Sequence, residues 1–159
     1  MKRLIVIVLL MGALTVLTAC APKPEEVNAV VNNFWDQWKA GNEAGMVDLM
    51  TDEVDYGMLY PDDALAGSLA ASLAKLPVNR SIPAETLAAA LASSSLPNSG
   101  TFSISSTEAF GEYAIVTCQL FITTAEPIKI LQFIFHLNDT DAGWKINFLG
   151  IKGAYPKVK

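Results

Sequence analysis

The chain has 159 residues, of which 52% are hydrophobic and 17% charged, and its net charge is -5 at pH 7. This composition is too apolar for a disordered chain, and the acidic balance excludes a nucleic-acid-binding protein. The length allows one domain with a short tail. Much of the apolar excess lies in the first twenty residues, so the fold is predicted from the rest of the chain.

The amino terminus has the features of an export signal. Two basic residues precede a nearly unbroken apolar stretch over residues 4–17, shorter than the about 20 apolar residues of a membrane-spanning helix. The stretch ends in the letters LTAC at positions 17–20, which resemble the lipobox of bacterial lipoproteins. The resemblance implies that residues 1–19 are cleaved, that Cys20 is lipidated, and that residues 20–24 form a spacer. An ordinary secretory signal, with Cys20 incidental, is the alternative.

A lipid on Cys20 would be the membrane anchor of the mature protein. We therefore expect a protein of the cell membrane or outer membrane, lipid-anchored and facing the periplasm or the exterior. The chain has 2 cysteines, so lipidation of the first leaves Cys118 without an intramolecular disulfide partner. The apolar strand around Cys118 predicts a buried, unreactive thiol.

The mature chain begins with two predicted helices. Apolar side chains recur at spacings of three and four between residues 25 and 40, and Gly41 is typical of the residue that follows a helix. Asn42 is a typical cap for a second helix that continues to Met50. Residues 51–53 are predicted as a turn, and residues 54–60 alternate as a strand.

Residues 61–98 have a different composition, rich in Ala, Leu and Ser. Leucines spaced by four residues predict two thin helices in this segment, and the second is expected over residues 83–94. The pattern changes to strands at residue 101. Strands joined by turns are predicted over residues 101–107, 113–123, 128–138 and 144–151. Helices followed by an antiparallel meander indicate an α+β fold.

The long strands have two unlike faces. One is uniformly apolar and is expected to receive the helices; it comprises Ala114, Val116, Cys118, Leu120, Ile122, Leu131, Phe133, Phe135, Leu137, Trp144, Ile146 and Phe148. The other mixes polar side chains with apolar ones; it comprises Ile115, Thr117, Gln119, Phe121, Ile130, Gln132, Ile134, His136, Lys145, Asn147 and Leu149. Four of these residues form a candidate interface for a second copy or another envelope protein: Gln119, Gln132, His136 and Asn147. Burial under the Ala-rich helices is the alternative.

Four segments together carry a resemblance to a known superfamily. The letters FWDQWKAGN at residues 34–42 and MVDLMTDE at residues 46–53 resemble the helices that lead into the first strand of NTF2-like proteins. The letters FIFHL at residues 133–137 and GWKI at residues 143–146 are similar to the last hairpin of that superfamily. The resemblance covers most of residues 25–151.

This resemblance implies an NTF2-like domain over residues 25–155, related to the ketosteroid-isomerase-like and cystatin-like α+β proteins. Its N-terminal helices would pack on a strongly bent antiparallel sheet to form a cone with a pocket inside. Residues 61–98 would then be a helical insertion in place of the usual short third helix.

The resemblance also bears on catalysis. It places Met58 where ketosteroid isomerases have an aspartate base, and Phe34 where they have an oxyanion-binding tyrosine. Neither Met58 nor Phe34 carries an ionisable group, so the proton-transfer groups of the isomerases are absent at both positions. We therefore expect a non-catalytic domain; a lyase or isomerase that uses Asp55, Tyr56 or His136 is the alternative.

Aromatic and methionine side chains are expected to line the wide end of the cone. This candidate pocket comprises Trp35, Trp38, Met46, Tyr56, Met58, Tyr60, Phe133 and Phe135. Such a lining suits a small apolar ligand, while simple filling of the cone by these side chains is the alternative. No cofactor and no metal are expected, because one His and one spare Cys do not supply a usual ligand set. The expected function is a lipid-anchored envelope protein that binds such a ligand or a protein partner.

Overall fold

The computed structural model describes residues 23–59, 80–123 and 129–154. The predicted signal segment, Cys20, Tyr60 and the first helix of the Ala-rich insertion lie outside the described residues. Within these three ranges, no helix is both long enough and apolar enough to cross a membrane.

Two helices open the described chain as the sequence predicts. Helix α1 (Pro24–Ala40) starts with a proline and two glutamates, which suit the positive end of the helix dipole. It ends at Gly41, whose φ of 67° lies in the left-handed region that glycine adopts without a steric penalty. Asn42 caps helix α2 (Glu43–Val47), because its side-chain oxygen accepts a 3.2 Å hydrogen bond from the backbone N–H of Gly45.

The boundary between α2 and the first strand differs from the prediction. Helix α2 ends at Val47, and strand β1 (Met50–Leu59) already contains the residues predicted as a turn. Met50 pairs with Ile146, whose backbone N–H donates a 2.9 Å hydrogen bond to the carbonyl oxygen of Leu49. Pairing with a strand far along the chain therefore overrides the local helical pattern.

The second half of the Ala-rich insertion contains the expected helix, here α3 (Ala84–Ala92). The short strand β2 (Arg80–Pro83) that precedes it is not predicted by the sequence pattern. Strand β2 pairs antiparallel with β1, and it has a proline at its end, as edge strands tolerate. A short 3-10 helix (Leu96–Ser99) follows α3.

The four remaining strands form the predicted antiparallel meander. They are β3 (Gly100–Phe110), β4 (Tyr113–Ile122), β5 (Lys129–Thr140) and β6 (Gly143–Ala154). The strand order in the six-stranded sheet is β2-β1-β6-β5-β4-β3. Strand β1 runs parallel to β6, so the sheet is mostly rather than wholly antiparallel. The predicted α+β class is confirmed.

The helices cover the apolar face of this sheet, which we call the core face. Its residues on β4 and β5 are buried as predicted. The assignment of Phe148 to the core face is wrong, and so is that of Leu149 to the opposite face: Leu149 is buried, and Phe148 contacts the ring of His136. The cause is a bulge at Asn147, which inserts an extra residue between the pairs Leu137–Ile146 and His136–Phe148. An extra residue reverses the alternation that follows it.

Candidate functional site

A cluster of aromatic rings occupies the core between α1 and the sheet. Trp35 stacks on Phe102 with ring centroids 4.0 Å apart, and it meets Trp38 and Phe133 edge-on at 5.1 and 5.4 Å. Phe34 contacts Phe135 in the same edge-on way. These rings therefore fill the part of the cone that they line, in the offset and perpendicular arrangements that aromatic pairs favour.

The other predicted pocket residues lie along α2 and β1. Met46 is fully buried on α2. On β1, the backbone of Met58 pairs with that of Ile151, and the side chain of Met58 is outside the described part of the molecule, as is Tyr60. Tyr56 is buried on the core face of the same strand. The structure thus brings four of the predicted pocket residues into the ring cluster, and it places Tyr56 on β1, two strands away from Phe133 and Phe135 on β5.

Tyr56 carries a polar group into this mainly apolar interior. The residue is 1% exposed, and its hydroxyl has no hydrogen-bond partner among the described residues. Burial raises the pKa of Tyr56 to about 12, so the phenol stays protonated and is available as a hydrogen-bond donor. Leaving such a group unpaired costs roughly 1–3 kcal/mol, which a ligand with an acceptor atom would recover. In register, Tyr56 lies beside Leu149, which in turn pairs with Phe135.

The predicted interface residues lie on the other side of the sheet, which we call the outer face. Gln119 and Gln132 are half-buried and directly opposite each other on β4 and β5. Asn147 occupies the β6 bulge, and its Oδ1 atom is buried without a hydrogen-bond partner in the described ranges. His136 is half-buried on β5.

His136 is held between two aromatic rings. Its ring lies 4.4 Å from that of Phe148 and 5.5 Å from that of Tyr113, measured between centroids. Burial lowers the pKa of His136 below its ordinary value of 6.5, which favours the neutral imidazole at pH 7. The sequence pattern does not predict Phe148 as its neighbour, because the bulge leaves no signature in the alternation of the strand.

Asp55 and His136, two of the three residues named for the enzyme alternative, do not contact each other. Asp55 pairs with Phe148 on β6, and Phe148 pairs with His136 on β5. The two residues are therefore two strands apart, about 10 Å at the usual strand spacing. That separation is too long for direct proton transfer. Both lie on the outer face, across the sheet from Tyr56.

The thiol of Cys118 and the possible metal ligands decide whether thiol or metal chemistry is available. The thiol of Cys118 is fully buried among apolar neighbours on β4, and burial raises its pKa to about 12. A thiol of this kind is neither a nucleophile nor a metal ligand at neutral pH. Within residues 23–59, 80–123 and 129–154, no group of three His, Cys, Asp or Glu side chains is placed to share a metal ion.

The layout of helices and sheet can be compared with known proteins. No protein-family model matches the chain, and no curated protein matches it. Among solved structures, an NTF2-like protein of unknown function from Methylobacillus flagellatus is 14% identical, with a TM-score of 0.59 over 82% of this chain and 91% of the other. An NTF2-like protein with a cystatin-like fold from Novosphingobium aromaticivorans is 12% identical, with a TM-score of 0.58 over 94% and 90%. The chain has the NTF2-like fold.

Other NTF2-like structures share this architecture and bear different names. One from Streptomyces avermitilis, named as a proposed dehydratase, is 14% identical, with a TM-score of 0.55 over 83% of this chain and 96% of the other. At such identities the likeness shows the NTF2-like fold alone. Function must therefore be argued from the residues of the site.

Proposed function

We propose that this protein is a lipid-anchored, non-catalytic component of the cell envelope whose NTF2-like domain binds a small, mainly apolar ligand. The observation that carries the binding proposal is the hydroxyl of Tyr56, which has no hydrogen-bond partner among the described residues and lies in a mainly apolar core. The ligand would present one hydrogen-bond acceptor, such as a carbonyl or ether oxygen, to this hydroxyl. Apolar sites with one placed polar group are the usual form of small-molecule pockets.

The proposal of a non-catalytic role has separate support. Tyr56 has its pKa raised by burial, so it is a poor base, and no charged partner activates it among the described residues. Asp55 and His136 point away from it on the outer face. A binding role needs no charged group, but it needs the hydroxyl, apolar walls and room for the ligand beside Tyr56.

Tyr56→Phe is the direct test of ligand binding, because it removes the hydroxyl and leaves the ring. The lipid-free chain from residue 21 onward would be purified without detergent and analysed by native mass spectrometry for a retained small molecule. We expect an adduct on the wild type that is at least tenfold less abundant on Tyr56→Phe. Tyr113→Phe is the matched control, since it removes a hydroxyl from the outer face. Wild-type protein without any adduct would contradict the proposal.

Lipidation of Cys20 can be tested separately, in the full chain. Cells would be supplied with an alkyne-labelled fatty acid, and the label on the wild type would be compared with that on Cys20→Ser. We expect the wild type to be labelled and to sediment with membranes, and Cys20→Ser to lose the label. Equal labelling of the two proteins would exclude Cys20 as the lipid attachment site.

A further inference from the structure

Arg80 lies at the edge of the sheet, directly opposite Tyr56. The two residues are partners in the antiparallel pair of β2 with β1, and β2 is an edge strand. Side chains at directly opposite positions of such a pair project to the same face, with Cβ atoms about 4.5–5.5 Å apart. Ile82, two residues farther along β2, is buried on the core face, which fixes the same direction for Arg80. The guanidinium therefore projects on the side of the sheet that carries the Tyr56 ring.

Exposure to solvent falls steeply from Arg80 toward the middle of the sheet. Arg80 on β2 is exposed, Tyr56 on β1 is 1% exposed, and Leu149 on β6 is fully buried. These three residues are neighbours in register across the three strands. A molecule that enters from the β2 edge would therefore meet the guanidinium first, the phenol hydroxyl next and apolar side chains last.

Neither polar group in this row is bonded to another described residue. The hydroxyl of Tyr56 is buried without a hydrogen-bond partner, and the guanidinium of Arg80 forms no ion pair within the described ranges. The two groups are therefore not bonded to each other, although their side chains leave neighbouring strands side by side. Arginine donates hydrogen bonds and accepts none, so an acceptor for both groups must come from another molecule.

The described carboxylates nearest to Arg80 along the chain are directed elsewhere. On the core face of β1 and β2, the neighbours of Tyr56 include Val54 and Ile82, which are both buried and apolar. Asp55 lies on the outer face, because it precedes Tyr56 on an alternating strand. Glu85 on α3 borders a surface groove together with residues of α2. The positive charge of Arg80 is therefore not neutralised by these acids.

We propose that the ligand of this site is an apolar carboxylic acid, bound as its anion with the carboxylate between Arg80 and Tyr56. This inference rests on the proposed function, because it names the chemical class of the molecule that the Tyr56 hydroxyl holds. One carboxylate oxygen accepts hydrogen bonds from the guanidinium, and the other accepts one from the phenol. The apolar part of the acid lies against the buried side chains next to Tyr56, which are Val54, Ile82 and Leu149.

The two donors suit a carboxylate better than another head group. The planar guanidinium matches the geometry of a carboxylate, and the hydroxyl adds a donor to a group that only accepts. One negative charge is balanced by the single charge of Arg80. A phosphate monoester carries a charge of about -1.5 to -2, so part of it would stay uncompensated beside apolar side chains. A neutral alcohol or ester would leave the charge of Arg80 unused.

The net charge of the chain makes this local arrangement more selective. The chain carries a net charge of -5, so its average field repels anions. An anion therefore binds only where nearby donors outweigh that field. Apart from Arg3 in the predicted signal segment, Arg80 is the only arginine in the sequence, and the structure sets it beside a buried, unpartnered hydroxyl.

Compounds that co-purify with the full chain test the proposal. The wild type and its variants would be purified from cells in an amphipathic polymer instead of detergent, and small molecules extracted from them would be compared by mass spectrometry. We expect one compound to fall at least about tenfold in Arg80→Gln, because a hydrogen-bonded charge pair is lost. Arg80→Lys should retain more of it, since lysine keeps the charge but not the planar fork. Treatment with trimethylsilyldiazomethane should add one methyl group to this compound, which should contain no phosphorus.

Lys39→Gln is the matched control, because it removes one positive charge from the exposed last turn of α1. It should leave the compound unchanged, and the exposed position of Arg80 means that Arg80→Gln should unfold at the same urea concentration as the wild type. Equal losses in Arg80→Gln and Lys39→Gln, or no loss in Arg80→Gln, would overturn the proposal.

Tyr56→Phe separates this inference from the function on which it rests. We expect the same acid to be lost from Tyr56→Phe as from Arg80→Gln. A compound that depends on Tyr56 but takes up no methyl group, or that contains phosphorus, would overturn the carboxylic acid and leave ligand binding at Tyr56 intact. If no compound depends on Tyr56, the proposed function fails and this inference fails with it.

Discussion

The indole Nε1 of Trp38 donates a 2.7 Å hydrogen bond to the backbone carbonyl oxygen of Leu91, and this bond joins α1 to the last turn of α3. Both residues are fully buried. The same carbonyl oxygen accepts a 2.9 Å hydrogen bond from the backbone N–H of Ser94. The described part of the helical insertion is therefore joined to α1 by this buried hydrogen bond in addition to the packing of its leucines.

Trp38→Phe tests the strength of this contact. We expect the free energy of unfolding to fall by about 2–4 kcal/mol, since the change removes ring atoms from the core as well as the hydrogen bond. Trp35→Phe is the control, because it deletes the same atoms from a ring that is stacked on Phe102. Urea unfolding should show Trp38→Phe to be the more destabilised by about 1 kcal/mol. Equal losses would mean that the hydrogen bond contributes nothing.

The position of the Phe148 ring next to Gly150 leads to a second prediction. In Gly150→Ala the new Cβ would lie 2.8 Å from Cε1 of Phe148, so the ring must leave its position. We expect a loss of about 1–3 kcal/mol in the free energy of unfolding. The measurement is a double-mutant cycle with Phe148→Ala, in which Gly150→Ala should cost much less. Additive losses would show that the clash is not with Phe148.

Much of the fold follows from local pattern, and the exceptions have physical causes. The caps at Gly41 and Asn42 and the alternation along β4 and β5 depend on near neighbours in sequence, so the helices and the core face were predictable. The parallel pairing of β1 with β6 joins residues about a hundred positions apart, and no local pattern encodes it. The bulge at Asn147 is likewise a property of two paired strands.

The candidate site was predictable in part for the same reason. Trp35, Trp38, Phe133 and Phe135 were identified as interior from their spacing, but spacing does not say whether rings leave a pocket or fill it. The structure shows that these rings pack on one another. The unpaired state of the Tyr56 hydroxyl depends on every atom around it, so only three-dimensional contacts reveal it.

The burial of His136 predicts how stability depends on pH. Its folded-state pKa is lowered below 6.5, so the unfolded chain binds the proton more tightly. Stability should therefore be complete above about pH 6.5 and should fall as the pH drops from there toward the lowered folded-state value. The measurement is the unfolding free energy from pH 5 to 8 for the wild type and His136→Gln at one protein concentration. The difference between the two proteins should change only below about pH 6.5; a constant difference would contradict the prediction.

Cys118 should not react with thiol reagents in the folded protein. Burial raises its pKa from 9.0 to about 12, which lowers the thiolate fraction at pH 8 about a thousandfold, and the sulfur is out of contact with solvent. In full-length Cys20→Ser, Cys118 is the sole thiol. With Ellman's reagent at pH 8 we expect no release of chromophore from the folded protein over an hour and one equivalent after unfolding in guanidinium. Rapid reaction of the folded protein would mean that β4 opens to solvent and that its core face is less tightly packed than the structure indicates.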